Sequence, residues 1–172
     1  MAKFANDGLG LHILETNFVY LDEGAFGVVF VDRHQKRIRK VYRVHPYASP
    51  AHCKRVFEAE TCAYDVATRT PALQELVPKF FGIRSGQAIV DKQGEDVSAK
   101  FLGDLAFEAE FIAYEFLKIS SVPEAERERV TNLFHQHGIR GVVDASVCLS
   151  EDGKVTKVID FAMNDIELFW PS

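Results

Sequence analysis

The run Gly24-Ala25-Phe26-Gly27-Val28-Val29 decides how this chain is read. It lies between two β-rich runs, residues 18–21 and 28–31, and two such runs joined through glycines predict a hairpin. Glycine at the turn lets backbone N–H groups approach a polyanion with no Cβ in the way. Most glycine hairpins are only turns, so the meaning of this one depends on its surroundings.

Outward from the hairpin, residues 37–44 alternate Ile38, Lys40 and Tyr42 against Arg39, Val41 and Arg43, which predicts a third strand with two differently used faces. The basic run Lys36-Arg37-Ile38-Arg39-Lys40 reads as a strand edge and not as a binding patch. The breaker cluster 45–50 precedes a predicted helix over residues 51–68, with Val56, Phe57, Tyr64 and Ala67 apolar. Pro71 and Pro78 bracket a short helix or loop, and residues 80–83 and 87–90 read as strand material. A Gln93-Gly94 turn, a second hairpin arm and then a strand over 109–117 are expected next. From Val122 the pattern turns helical, with Pro123 near the start and Gly138 past the end. Two short strands, 147–149 and 155–159, follow around Asp152-Gly153. The order predicts an α+β fold.

A chain of 172 residues fits one domain, and its 47% apolar and 26% charged residues match a globular protein. A net charge of -5 argues against a nucleic-acid scaffold, which needs concentrated Lys and Arg. Cys53, Cys62 and Cys148 lack metal-ligand spacing and read as buried or half-buried thiols of a reducing compartment. His135 and His137, with no acidic or Cys residue near in sequence, are weak evidence for a metal. No apolar run is long enough for a membrane span, and residues 1–10 carry no secretory hydrophobic segment. A cytoplasmic protein is expected, though export through a specialised injection machine would leave no trace in this pattern.

Several residues carry potential chemistry. Lys40, on the strand after the glycine hairpin, could reach phosphates beneath it, although most strand lysines are solvated. Glu60 has Phe57 and Tyr64 one turn away on either side, which favours it over Glu58 as an inward-facing carboxylate. Asp160 ends an apolar strand and precedes Phe161, and a carboxylate so placed needs a charge partner or a metal.

In this order the residues resemble the protein-kinase family: the glycine loop, the strand Lys40, the helix Glu60, the hinge-like Tyr114-Glu115-Phe116-Leu117, and Asp160-Phe161. Val77-Pro78-Lys79-Phe80-Phe81-Gly82 and His135-Gln136-His137-Gly138-Ile139 look like segments of divergent microbial kinases, and the resemblance runs over residues 13–165. It implies one kinase-like domain over 1–172, with an amino-terminal lobe of about 13–117 holding an antiparallel sheet and one long helix, and a much reduced carboxy-terminal lobe of about 118–172. It also implies roles. Gly24 and Gly27 would cover the phosphates of ATP, and Lys40 would contact the α- and β-phosphates and pair with Glu60. Glu115 and Leu117 would offer backbone groups to adenine, with Tyr114 at the back of that pocket. Asp160 would hold Mg2+, and Asp144 would act as base or substrate-orienting group.

The departures matter equally. Asp22 stands where the family's first loop glycine is usual, and Ala162 replaces the glycine after Asp-Phe. No Asn follows Asp144 at the family's spacing, leaving a second metal ligand missing or replaced by Ser146, and Asp144 could simply cap a turn. The short stretch after Asp160 resembles minimal kinases that some bacteria deliver into host cells as effectors. The leading expectation is therefore a minimal kinase acting on a Ser or Thr hydroxyl of a protein, a host protein if the chain is an effector. The alternative is a pseudokinase that binds nucleotide and a partner without turnover. A small-molecule kinase has too little room for its substrate lobe, and a plain α+β domain must treat the ordered motifs as accident.

Overall fold

The β3–β4 hairpin closes through a buried aspartate. Asp32 Oδ1 accepts the N–H groups of His34 at 2.9 Å and Gln35 at 3.0 Å, and Lys36 completes the reversal at φ 53°. This links β3 (Gly27–Asp32) to β4 (Arg37–Arg43) in antiparallel register, with Val29 opposite Lys40. The computed structural model describes residues 10–161.

The sheet contains seven strands in the order β5-β7-β4-β3-β2-β1-β6, adding β1 (His12–Ile13), β2 (Val19–Glu23), β5 (Phe80–Arg84), β6 (Ile89–Val90) and β7 (Phe101–Glu110). The predicted α+β class is observed. β4 lies inside the sheet between β3 and β7, so the basic run is an interior strand and not the strand edge expected from sequence. Arg37 and Arg39 are accommodated there because both bond the buried carboxylate of Glu108 on β7. The strand expected over 109–117 is also displaced. Pairing with β4 runs from Phe101 to Glu110, and residues 111–116 are irregular. Gly103 and Asp104 weaken the strand signal, and the long partner strand overrides that local preference.

The chain divides into two compact units, one comprising the chain up to Cys53 with Phe81–Phe111, the other Lys54–Phe80 with the chain from Ile112 onward. In the first unit Ile13, Phe18, Val28, Phe30, Val41, Ile89 and Ala106 form the buried core. Alternation along β4 sends Val41 into that core, while Lys40 and Tyr42 on its opposite face are also buried. Both faces of this strand are therefore in use, as its sequence predicts.

Helix α1 (Pro50–Arg69) starts where Ser49 Oγ accepts the His52 N–H at 3.1 Å and Pro50 takes the first helical position. Its buried stripe in the second unit includes Val56, Phe57, Ala63, Tyr64 and Ala67. Helix α2 (Glu124–Gln136) runs from Pro123 to a left-handed Gly138, φ 82°, as its punctuation predicts. The remaining strands, β8 (Leu117–Lys118), β9 (Ser146–Leu149) and β10 (Val155–Ile159), form a sheet in the order β10-β9-β8. Phe161 is fully buried, with ring centroids 4.7 Å from Tyr64 and 5.4 Å from Phe134. Among the described residues no helix is long and apolar enough to cross a membrane.

Candidate functional site

The first unit brings the glycine hairpin and Lys40 together. Register puts Gly27 opposite Tyr42 and Val29 opposite Lys40, and a Cβ on Gly27 would stand 3.4 Å from Lys40 Cγ and 2.9 Å from the Val41 carbonyl oxygen. Gly27 is thus required by its neighbour strand. Gly24 differs, since a Cβ there would meet nothing within 4 Å and its N–H donates to the Gly27 carbonyl at 2.8 Å. Packing within the protein gives no reason for glycine at position 24. Lys40 is 6% exposed and its ammonium lies 5.3 Å from the centre of the Tyr42 ring. Asp22, at the position usual for a first loop glycine, belongs to β2 and accepts the Glu23 N–H at 2.8 Å.

In the second unit Glu60 occupies a slot on the apolar stripe of α1 and is 1% exposed. Glu58 instead meets Lys54 at the surface, at 3.8 Å. The register that selected Glu60 as the inward carboxylate is the one found. Burial pushes the Tyr64 phenol well above its ordinary range, and the carboxylates of Glu60 and Asp160 push it further. These three groups are therefore electrostatic neighbours.

Asp160 follows β10 in a left-handed conformation, φ 54°. Asp tolerates this region better than most residues, and such strain persists only where the surroundings fix it. Here the fixing element is Phe161, whose burial holds the chain while Asp160 stays exposed. Asp144 ends the short 3-10 turn Gly141–Asp144, also exposed. Strand β9 begins two residues after Asp144, and Ser146 pairs with Ile159. That register carries Asp144 and Asp160 to the same end of the β9–β10 hairpin. Ser146 is at this end too, and so is Lys118, whose Nζ donates to the Asp144 carbonyl at 3.1 Å. The role of Lys118 at this end was not legible in the sequence, because β8 is two residues long and its position depends on pairing with β9.

Glu115 and Leu117 do not share one strand. Glu115 is exposed in the irregular segment, and Leu117 opens β8 opposite Val147. Tyr114 is 76% exposed, a surface side chain and not the back wall of a pocket. Ala162 lies outside the described residues.

Among the described residues no group of three or more His, Cys, Asp or Glu could enclose a metal. Mg2+ in nucleotide sites is held by one or two carboxylates together with phosphate oxygens, not by an all-protein cage. A single exposed carboxylate at Asp160, with Asp144 at the same hairpin end, fits that donor set. All three cysteines are free thiols raised in pKa by burial. Compared with protein-family models and with curated proteins, the sequence matches none.

Proposed function

We propose that the chain is a minimal, atypical protein kinase of the protein-kinase-like fold, transferring the γ-phosphoryl of ATP to a Ser or Thr hydroxyl of a target protein. The observation that carries this reading is the pairing of Ser146 with Ile159, which sets Asp144 and Asp160 at one end of a hairpin. Phosphoryl transfer asks little covalent chemistry of a protein and depends on positioning and charge stabilisation. In this reading Gly24 admits a phosphate, Lys40 contacts the α- and β-phosphates and pairs with Glu60, and Glu115 and Leu117 offer backbone groups to adenine. Asp144 orients the hydroxyl and takes its proton as the new P–O bond forms, the γ-phosphorus separates from the bridging oxygen, and ADP leaves. Asp160 would hold magnesium together with phosphate oxygens, and the ion would supply neutralisation of the phosphate charge.

The second reading is a nucleotide-binding pseudokinase, favoured by the missing Asn after Asp144 and by Asp22 in the glycine loop. The deciding experiment incubates the purified protein with labelled ATP and magnesium, with and without a cell lysate. Label on the protein or on a lysate protein, abolished by Asp144→Asn, supports the kinase. Stabilisation by ATP without any labelling supports the binding module, and neither response removes both readings.

A further inference from the structure

The glycine hairpin is held at its base and at its tip by side chains that no phosphate role requires. At the base Arg43, on β4, donates Nη1–H to Glu23 Oε2 at 2.7 Å and Nη2–H to the Gly24 carbonyl at 2.7 Å. Its own backbone N–H donates to the Phe26 carbonyl at 2.9 Å. One residue thus binds the hairpin at three points, Glu23, Gly24 and Phe26. At the tip the Phe26 ring stacks on His45, with centroids 5.2 Å apart and planes 24° apart, and lies 5.9 Å from His52.

We infer that Arg43 is a positioning residue, which sets the backbone of the 24–27 hairpin in the conformation that receives a phosphate. This rests on the nucleotide reading above and adds a device to it. A loop whose N–H groups are to meet an anion loses affinity when those groups must first be ordered, so fixing them beforehand favours binding. Gly24 has need of such fixing, because it lacks a side chain and, unlike Gly27, is not held in β3 opposite Tyr42. Arg43 supplies it from a strand, through a planar fork that holds two acceptors at once. The Glu23 arm of the fork is part-buried, with Arg43 and Glu23 side chains 18% and 23% exposed, which limits solvent competition for that arm, whereas the Gly24 arm faces water. Arg43 lies three residues beyond Lys40 on the same strand, past an irregularity in the pairing with β7 between Val41 and Arg43, so the device that orders the hairpin and the lysine beneath it share one strand.

The test compares wild type with Arg43→Met, which keeps the alkyl stem but removes the fork, and with Arg43→Lys, which keeps the charge but cannot hold both acceptors. Hydrogen exchange is measured at the amides of residues 24–27 in nucleotide-free protein, with the amides of residues 28–32 and melting temperature as controls. ATP–Mg affinity is measured in parallel. Arg43→Met should raise hairpin exchange and weaken ATP about tenfold each, the scale of one charge-assisted hydrogen bond. Exchange at residues 28–32 should not change, and Arg43→Lys should recover only part of either loss. Unchanged hairpin exchange in Arg43→Met would overturn the latch. Faster exchange with undiminished ATP affinity would overturn the positioning role. A wild type that binds no ATP would fail the nucleotide reading and the positioning role with it, whereas the exchange measurement would still decide whether the latch exists.

Discussion

Glu126, in the first turn of α2, reaches across to β10 and accepts the Val155 N–H at 2.8 Å. Arg129 grips the same carboxylate through Nε at 2.8 Å and Nη2 at 2.7 Å, and Lys154 Nζ lies at 3.5 Å. The Arg129 hydrogen bonds outweigh the cost of burial and, with the Val155 N–H, hold the carboxyl at a pKa of about 2. The depressed pKa makes this a stabilising contact above about pH 4.5 that is lost as pH falls toward 2. Arg129 and Lys154 are substantially exposed, so water screens the contact and its scale is about 1–2 kcal/mol. Urea midpoints measured from pH 6 to pH 2.5 should fall more steeply in wild type than in Glu126→Gln. Parallel curves would show that Glu126 does not tie α2 to the hairpin.

Glu108 plays a comparable part in the first unit. Burial pushes its carboxyl up, but the Arg39 hydrogen bonds with the charges of Arg39 and Arg84 and the bond from Arg37 reverse that and hold it low. Arg37 and Arg39 also lie over the rings of Phe81 and Phe18, at 4.2 and 4.5 Å from the centroids. Glu108→Ala leaves clustered guanidinium groups uncompensated and should cost about 3–5 kcal/mol in equilibrium unfolding. Arg84→Met should cost much less, since Arg84 is partly exposed and Glu108 keeps two partners.

The two loop glycines should separate. Gly27→Ala forces a Cβ to within 2.9 Å of a backbone oxygen and should destabilise the fold by about 1–3 kcal/mol. Gly24→Ala meets open space and should change stability by less than about 0.5 kcal/mol. If Gly24 receives phosphate, Gly24→Ala should nevertheless weaken ATP-dependent stabilisation in a thermal-shift titration. Equal ATP responses in wild type and Gly24→Ala would leave that glycine with no ligand role.

If the chain binds ATP and Lys40 pairs with Glu60 as proposed, Lys40→Ala should lose most of the ATP-induced rise in melting temperature while the apo protein stays folded. Glu60→Gln should lose part of it, and the double variant should be little worse than Lys40→Ala alone, the signature of two residues acting as one unit. Additive losses would separate the roles assigned to Lys40 and Glu60.

Much of this protein was legible because local chemistry and tertiary demand agree. Ser49-Pro50 and Gly138 mark helix ends whatever packs around them, and Asp152-Gly153 marks a turn between two apolar runs. Glu60 was readable too, since a carboxylate spaced among Phe57 and Tyr64 on one helical stripe has to be buried with them. The strand expected over 109–117 failed for the opposite reason. Residues 101–110 contain Gly103 and Asp104, and only pairing with β4 makes them extended. Tyr114 was misplaced with that strand.

The α+β order, the glycine hairpin followed by a strand lysine, and the inward register of Glu60 follow from turn chemistry and periodicity, which act within a few residues. The rest came from pairing between distant segments. That pairing placed β4 in the sheet interior, where Glu108 gathers arginines from β4 and β5, and it let Arg43 bind the hairpin. It also brought Asp144, Asp160 and Lys118 to one hairpin end. Those relationships depend on strand register between distant segments, and a shift of one residue would have sent each side chain to the other face.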